Sequence, residues 1–359
     1  MNTSTQVLII GGGFAGVSAA QELEKKGVST ILVDKKNYFE VTFATLRNIA
    51  APETVKNSAR KTYRSFLQGA FIQASVRKLS ANSALLDNGD EITFEKVIIA
   101  SGTRYPTLSA AKPSDSLNIV DRNQEMVDYH QQLRSSSQVL IIGGGVVGVE
   151  LAGEIAYAMP EITVTLTHNK ASLLDGYKEK AQQKALKQLE SLGVNVIFNS
   201  RFEEKDGHYI DNKTGRSLSP DMVLTATGVL PNNEFLLDSL AHTLNPHGFI
   251  NVDEKLAVIG QDNFFALGDI ADVGEAKLGY LAQQQGTYLA KSIIKQLANK
   301  SSKAYKRNPL MALIPTGQKT GVVQLPFMVT TWKGLVNMKQ KDLFIKKMYS
   351  AFGTEPDLS

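Results

Sequence analysis

Gly11-x-Gly13-x-x-Gly16 follows the apolar run Val7–Ile10 and opens a stretch rich in Ala, Glu and Leu. The three glycines have separate tasks. The first permits a tight strand-to-helix turn, the second lets a pyrophosphate approach the backbone, and the third lets helix and strand pack closely. The helix N-terminus then offers unpaired N–H groups and the positive end of its dipole to phosphate. Asp34 ends the next apolar run, Thr30–Val33, eighteen residues beyond Gly16. A carboxylate there can accept a hydrogen bond from a ribose hydroxyl. Together these residues predict a dinucleotide cradle.

The cradle occurs twice. QVLIIGGG at Gln6–Gly13 returns at Gln138–Gly145, eight identical residues at an offset of 132, and Gly16, Val17, Ala20 and Glu22 match Gly148, Val149, Ala152 and Glu154 at the same offset. Each copy reads as strand, glycine turn, helix, strand, so two βαβ units are expected. The second copy, Gly143-x-Gly145-x-x-Gly148, differs at the end of its second strand, where His168 stands and no acid does. Without a carboxylate nothing repels a 2′-phosphate, so NADPH is tolerated alongside NADH; the other reading makes His168 an ordinary strand-end residue. Glu150 lies just inside the second helix. It can complement the helix dipole, and its position beside the turn favours a nicotinamide contact.

Two strands ending in small residues and glycine follow the units: Val97–Thr103, with Ala100, Ser101 and Gly102 at its turn, and Met222–Gly228, ending in Thr227 and Gly228. A third strand ends in Gly268-Asp269, where the carboxylate can accept from a ribityl hydroxyl. The order of these motifs resembles the two-dinucleotide-domain flavoprotein family of pyridine nucleotide:flavin oxidoreductases, across roughly residues 6–300. The resemblance implies an α/β protein with two Rossmann-like domains. FAD would lie on Gly11–Gly16 with Phe14, Ala15, Asp34 and Lys35, and NADH or NADPH on Gly143–Gly148 with Val146 and Val147. It further implies hydride transfer from nicotinamide to flavin. The chain departs from the disulfide-reductase branch in lacking a redox-active cysteine pair, so electrons are expected to leave for a diffusible acceptor.

A narrower resemblance rests on NYFEVTFATLR at 37–47, GVE in the second unit, LTHN at 166–169, LGYLAQQQG at 278–286 and KTGVVQLPF…KDLF in the tail. These are similar to the apoptosis-inducing-factor-like, ferroptosis suppressor group, whose members reduce ubiquinone and vitamin K-type quinones with NAD(P)H at membrane surfaces. LAQQQG also resembles the quinone-site segment of type II NADH dehydrogenases. This implies cofactor contacts from Leu281 and Ala282, a quinone near Gln283, Gln284 and Gln285, and flavin contacts from Arg47 and the backbone near Val76.

Composition narrows the chemistry further. The 359 residues, 43% apolar and 21% charged, are ordinary for a globular chain of two or three domains. There is no cysteine, which excludes disulfides, thiolate catalysis and Cys-ligated metals. The five histidines show no metal-site spacing, so no metal is expected. No run reaches the roughly 18 apolar residues of a spanning helix, and the N-terminus has no basic region before its first strand. A cytoplasmic or peripheral membrane protein is expected. MNTS at the start is not Met-Gly, so no N-myristoyl anchor is expected either.

That departure throws weight on the tail. Residues 303–359 carry nine Lys/Arg and three acids, a net of +6, which leaves −2 on the rest of the chain. Phe344, Ile345, Met348, Tyr349 and Phe352 fall on one helical face, with Lys346 and Lys347 elsewhere on the wheel. Lys333, Lys339 and Lys341 add charge nearby, and Trp332 suits a headgroup interface. Such a helix can bind an anionic membrane; the same stripe could instead dock on the body as core. No aromatic stacking array or nucleic-acid fold accompanies the charge, which argues against nucleic acid.

The expected division is an FAD domain of residues 1–115 and 238–305, interrupted by an NAD(P)H domain at 116–237 with a hinge near Ala111–Ser116. A C-terminal cap and membrane segment follows at 306–359. The expected protein is a monomer or homodimer in which Glu150 holds NAD(P)H against flavin. Two rivals share this body: an NAD(P)H-dependent reductase of an acidic iron–sulfur protein of ferredoxin or rubredoxin type, and a slow NADH-sensing flavoprotein that binds nucleic acid.

Overall fold

A computed structural model describes residues 2–357. The residues that bear the two glycine turns also form the centres of two parallel sheets. In the first, the strands run in the order Ala70–Gln73, Thr30–Asp34, Asn2–Ile10, Glu91–Ile99, all parallel. Glu91–Ile99 is long enough to be shared: its end pairs in parallel with Phe264–Ala266, and its beginning pairs antiparallel with Ser83–Leu86, which carries Val76–Leu79. Val7–Ile9 and Val97–Ile99 are wholly buried, as expected for strands covered on both faces.

Helix Phe14–Glu24 covers one face and lies against the long helix Gly279–Leu297. Gly286 makes that contact possible, because a Cβ there would strike the Ala15 carbonyl. The second sheet runs Asn195–Ile197, Thr163–Thr167, Gln138–Ile142, Met222–Thr225, all parallel, with helix Val146–Ala158 leaving its glycine turn. The two α/β bodies are joined where Thr103–Arg104 pairs with Leu230–Pro231.

The C-terminal segment bridges both cores. Its antiparallel strands, Ala312–Pro315, Gly321–Gln324 and Val329–Thr330, contribute Ile314, Val322 and Val329 to the core of the second body. The helices Lys333–Gln340 and Ile345–Ala351 follow. The second of these corrects the sequence-based expectation of a membrane helix. Ile345, Met348, Tyr349 and Phe352 are buried in the core of the first body. Phe352 meets Phe39 edge-on at 5.0 Å and stacks on Phe66 at 6.0 Å, while its carbonyl accepts from Gln21 Nε2 at 2.7 Å. The amphipathic stripe is real, but protein covers it.

Among the described residues no helix is long and apolar enough to cross a membrane. The expectation about an N-terminal anchor begins on Met1, and the expected cap ends on Leu358 and Ser359; these three lie outside the described residues.

Candidate functional site

Gly11 takes φ +103°, and a Cβ on it would strike the Ala100 carbonyl. A Cβ on Gly16 would strike the Gly11 carbonyl, so the helix can approach its strand only with glycine there. Gly13, by contrast, faces open space and caps Phe14–Glu24 without a side-chain cap, leaving the helix N-terminus bare. Gly143, Gly148 and Gly145 repeat this pattern in the second body, with φ +121° at Gly143 and an uncapped, open Gly145. Both turns therefore have the room and the donors that a pyrophosphate requires. Val146 and Val147 begin the second helix half-buried, and Thr227 and Gly228 are exposed beyond the neighbouring strand.

Asp34 braces the first turn. Its Oδ2 accepts from the Gly12 N–H at 2.6 Å and its Oδ1 from the Lys36 N–H at 2.8 Å. Tyr63, which sequence reasoning missed, donates to the Gly12 carbonyl at 2.7 Å and lies 3.3 Å from Asp34 Oδ2. Burial pushes that phenol well above its ordinary pKa, so it remains a donor. At the second turn His168 does the work of the acid: its Nδ1 accepts from the Gly144 N–H at 3.2 Å. Nδ1 must then be unprotonated and the ring hydrogen carried on Nε2, a buried atom without a partner. Burial, then Lys170, lowers the His168 pKa and keeps the ring neutral. The two copies thus brace the same turn with different groups: a carboxylate in the first, a neutral imidazole in the second.

Ala100, Ser101 and Gly102 end their strand beside the first turn, and Ser101 Oγ donates to the Asn232 carbonyl at 2.7 Å. Asp269 accepts from Lys112 Nζ at 2.7 Å and Thr103 Oγ1 at 3.2 Å. Burial opposes its charge, but Lys112 holds its pKa below the ordinary carboxylate value. Lys112 belongs to the expected hinge, so the hinge is tied to the Gly268-Asp269 turn. Val76 is half-buried, two residues beyond Ala74, whose N–H donates to the Asp34 carbonyl at 3.1 Å.

Glu150 and Glu154 lie one helical turn apart on Val146–Ala158, both buried, and each has a cation from elsewhere in the chain. Lys339 Nζ donates to Glu150 Oε1 at 3.1 Å and to the Leu313 carbonyl at 3.0 Å, 5.6 Å from the centre of the Phe43 ring. Phe43 in turn stacks on Phe14 at 5.5 Å, which joins this pair to the first glycine turn. Burial raises the Glu150 pKa, and Lys339 acts against it. Gly153 permits the arrangement, because a Cβ there would strike the backbone of Thr316 and Gly317 in the cap.

Several expected contact residues are engaged within the chain. Arg47, expected at the flavin, binds Glu154 through Nε and Nη2, at 3.1 and 2.8 Å to Oε1, and Gln340 through Nη1 and Nη2. An unpaired Glu154 would be costly at this depth, and Arg47 neutralises it. Lys35 turns to the hinge, donating to the Ser114 carbonyl at 3.2 Å. The three glutamines do not converge, since consecutive helical residues point about 100° apart. Gln285 is buried and braces the Gly268 N–H and Glu275, both at 2.8 Å; Gln284 is exposed and Gln283 half-buried. Leu281 and Ala282 are buried in the same helix. Lys339, expected to add surface charge, is the buried partner of Glu150.

Residues 5–286 match the family described as Pyridine nucleotide-disulphide oxidoreductase. The chain belongs to that family. It is an oxidoreductase, and its cofactors are FAD and NADH. Ferroptosis suppressor protein 1 of Xenopus tropicalis is 30% identical over 98% of this chain and 96% of its own length. The sulfide:quinone oxidoreductase of the hyperthermophilic bacterium Aquifex aeolicus shares the fold, with a TM-score of 0.80 at 16% identity over 97% of this chain and 92% of that one. NDH2 of Plasmodium falciparum, solved in complex with NADH, gives 0.76 at 15% identity and covers 97% of each. The oxidoreductase here has no cysteine, so it carries no disulfide of its own.

Proposed function

We propose that this protein is an FAD-dependent NAD(P)H:quinone oxidoreductase that reduces ubiquinone- or vitamin K-type quinones at a membrane surface. The observation that carries the reading is the pairing of two open glycine turns with one buried carboxylate–ammonium pair, Glu150–Lys339, tied by Phe43 and Phe14 to the first turn. Relatives named for ferroptosis suppression and neighbours named for quinone reduction support it. The domain division follows: FAD on the first body, residues 1–115 and 238–305, and NAD(P)H on the second, 116–237.

When bound, FAD supplies the two-electron chemistry between nicotinamide and quinone. The chain supplies placement. The bare N-termini at Gly13 and Gly145 hold the two pyrophosphates. Asp34 has lone pairs left for ribose hydroxyls, and Asp269, kept ionised by Lys112, accepts from the ribityl chain. Glu150 would accept from the nicotinamide carboxamide and so help to orient the ring. Lys339 favours the charged form of Glu150, to which its Nζ donates at 3.1 Å. His168 puts no carboxylate at the end of its strand, so nothing there repels a 2′-phosphate, which admits NADPH as well as NADH. Overall, NAD(P)H, one proton and a quinone give NAD(P)⁺ and a quinol.

The test is anaerobic stopped flow on the purified yellow protein, with NADH or NADPH added first and a soluble ubiquinone analogue second. Rapid bleaching followed by rapid recovery of flavin absorbance is the expected outcome. Bleaching without recovery on quinone would refute the proposed acceptor.

A further inference from the structure

The burial of the last helix leaves the surface of the cap to be explained. Phe327 is 80% exposed, Trp332 66%, Met338 59% and Met328 39%. They are neighbours in the chain. Pro326 and Phe327 form the tip of a hairpin closed by the Leu325 N–H to the Met328 carbonyl at 2.8 Å. Trp332 follows five residues later as the cap of helix Lys333–Gln340, a reach of about 17 Å in extended chain. Lys333, Gly334, Asn337, Met338 and Lys341 make up the exposed face of that helix, and Val336, Lys339 and Gln340 make up the buried one.

The charge along this stretch of the chain has one sign. From Thr316 to Lys341 the chain has no Asp or Glu, while Lys319, Lys333 and Lys341 are exposed. Lys346 and Lys347 extend the same charge past Asp342, since their side chains point away from the buried face of their helix. Lys178 Nζ, bound to the Leu325 carbonyl at 3.3 Å and to that of Pro326, pins the hairpin so that Phe327 is held outward.

We propose that this tip and helix face form a docking surface for an anionic phospholipid bilayer. The proposal rests on the quinone reading above and names the surface through which a lipid-borne substrate would be met. Trp and Phe at the water–lipid boundary with lysines around them satisfy both halves of interfacial binding, apolar burial and attraction to anionic headgroups. A second copy of the chain fits less well. A twofold contact sets a patch against itself, so lysine would oppose lysine, with no acid from residues 316–341 to answer it. Protein partners are disfavoured by the same lysines, which are depleted at protein interfaces.

Flotation with vesicles of phosphatidylcholine alone, and of phosphatidylcholine with phosphatidylserine, tests this on the FAD-loaded protein. The unaltered chain should bind the anionic vesicles and lose them in high salt. Phe327→Ser with Trp332→Ser should lower partitioning about a hundredfold, about tenfold for each ring. Lys333→Gln with Lys341→Gln should lower it about 25-fold, from about fivefold per lysine. Flavin content and the rate with a soluble quinone should be unchanged in both variants, which shows that they fold. Unchanged partitioning in either variant, equal binding to neutral vesicles, or a dimer that dissociates on losing Phe327 and Trp332 would each overturn the proposal. Vesicle binding without any quinone reduction would leave this surface standing and remove the proposed activity. Reduction of soluble quinone without vesicle binding would do the reverse.

Discussion

Replacing Lys339 by Met removes the cation from Glu150 without removing its own apolar stem. Both side chains are more than nine-tenths buried and lie 3.1 Å apart. Deleting one partner of such a pair costs about 3–5 kcal/mol, because the other charge is stranded. Glu150 has an escape: it can take a proton. Its folded pKa is already raised by burial against the pull of Lys339, and losing Lys339 raises it further. A carboxyl with a raised folded pKa stabilises the fold below its unfolded pKa and loses that contribution as pH rises through the folded one. The penalty of Lys339→Met should therefore be greatest in alkali and shrink by about 1.4 kcal/mol per unit as pH falls below the folded pKa. Urea unfolding followed by circular dichroism, from about pH 8 down to about pH 5, measures it. Adding Glu150→Gln should recover most of the loss at the alkaline end, a coupling of about 2–3 kcal/mol. A penalty that does not vary with pH, or a coupling below about 0.5 kcal/mol, would show that the two groups are not a buried ion pair.

Other outcomes follow from the same geometry. Exchanging His168 for Asp places a carboxylate where the second copy now has a neutral imidazole; NADPH binding, read by nicotinamide fluorescence, should weaken about ten- to a hundredfold relative to NADH. Phe352→Ala should cost about 3–5 kcal/mol in urea unfolding and leave vesicle flotation unaltered, because the ring belongs to the core beside Phe39 and Phe66. Glu40 is wholly buried between Arg60 and Arg122; burial acts against its charge, yet the two guanidiniums pull its pKa from 4.5 down to about 2. A depressed carboxylate stabilises above its unfolded pKa, so stability should fall as pH drops from 4.5 towards 2. Arg122→Met should flatten that slope in acid titrations followed by circular dichroism. Asp34→Asn should loosen FAD retention about tenfold in dialysis, since Asp34 Oδ2 holds the Gly12 N–H and no longer carries charge for the ribose.

What could be read in the sequence was local or repeated. A glycine turn is specified by three residues and its flanking strands, so the offset of 132 predicted both nucleotide folds, and the two parallel sheets carry them. The cations of the site are non-local. Arg47 meets Glu154 across 107 residues and Lys339 meets Glu150 across 189, and no spacing rule links them. One signal was present: Glu150 and Glu154 share a face of a helix that is otherwise apolar. Two carboxylates buried together require two cations from outside the helix.

The tail shows the same limit from the other side. Periodicity identifies Phe344, Ile345, Met348, Tyr349 and Phe352 as a stripe that must be covered, but it does not name the cover. Phe39, Phe66 and Gln21 supply it, and they lie some three hundred residues earlier in the chain. Phe327, Trp332 and Met338 fall on no helical period, because they stand on a hairpin tip, at a cap position and on a helix face. An apolar stripe with a regular period is therefore the better candidate for core. Irregular aromatics among lysines, in a stretch of chain without an acid, are the better candidates for the lipid surface proposed above.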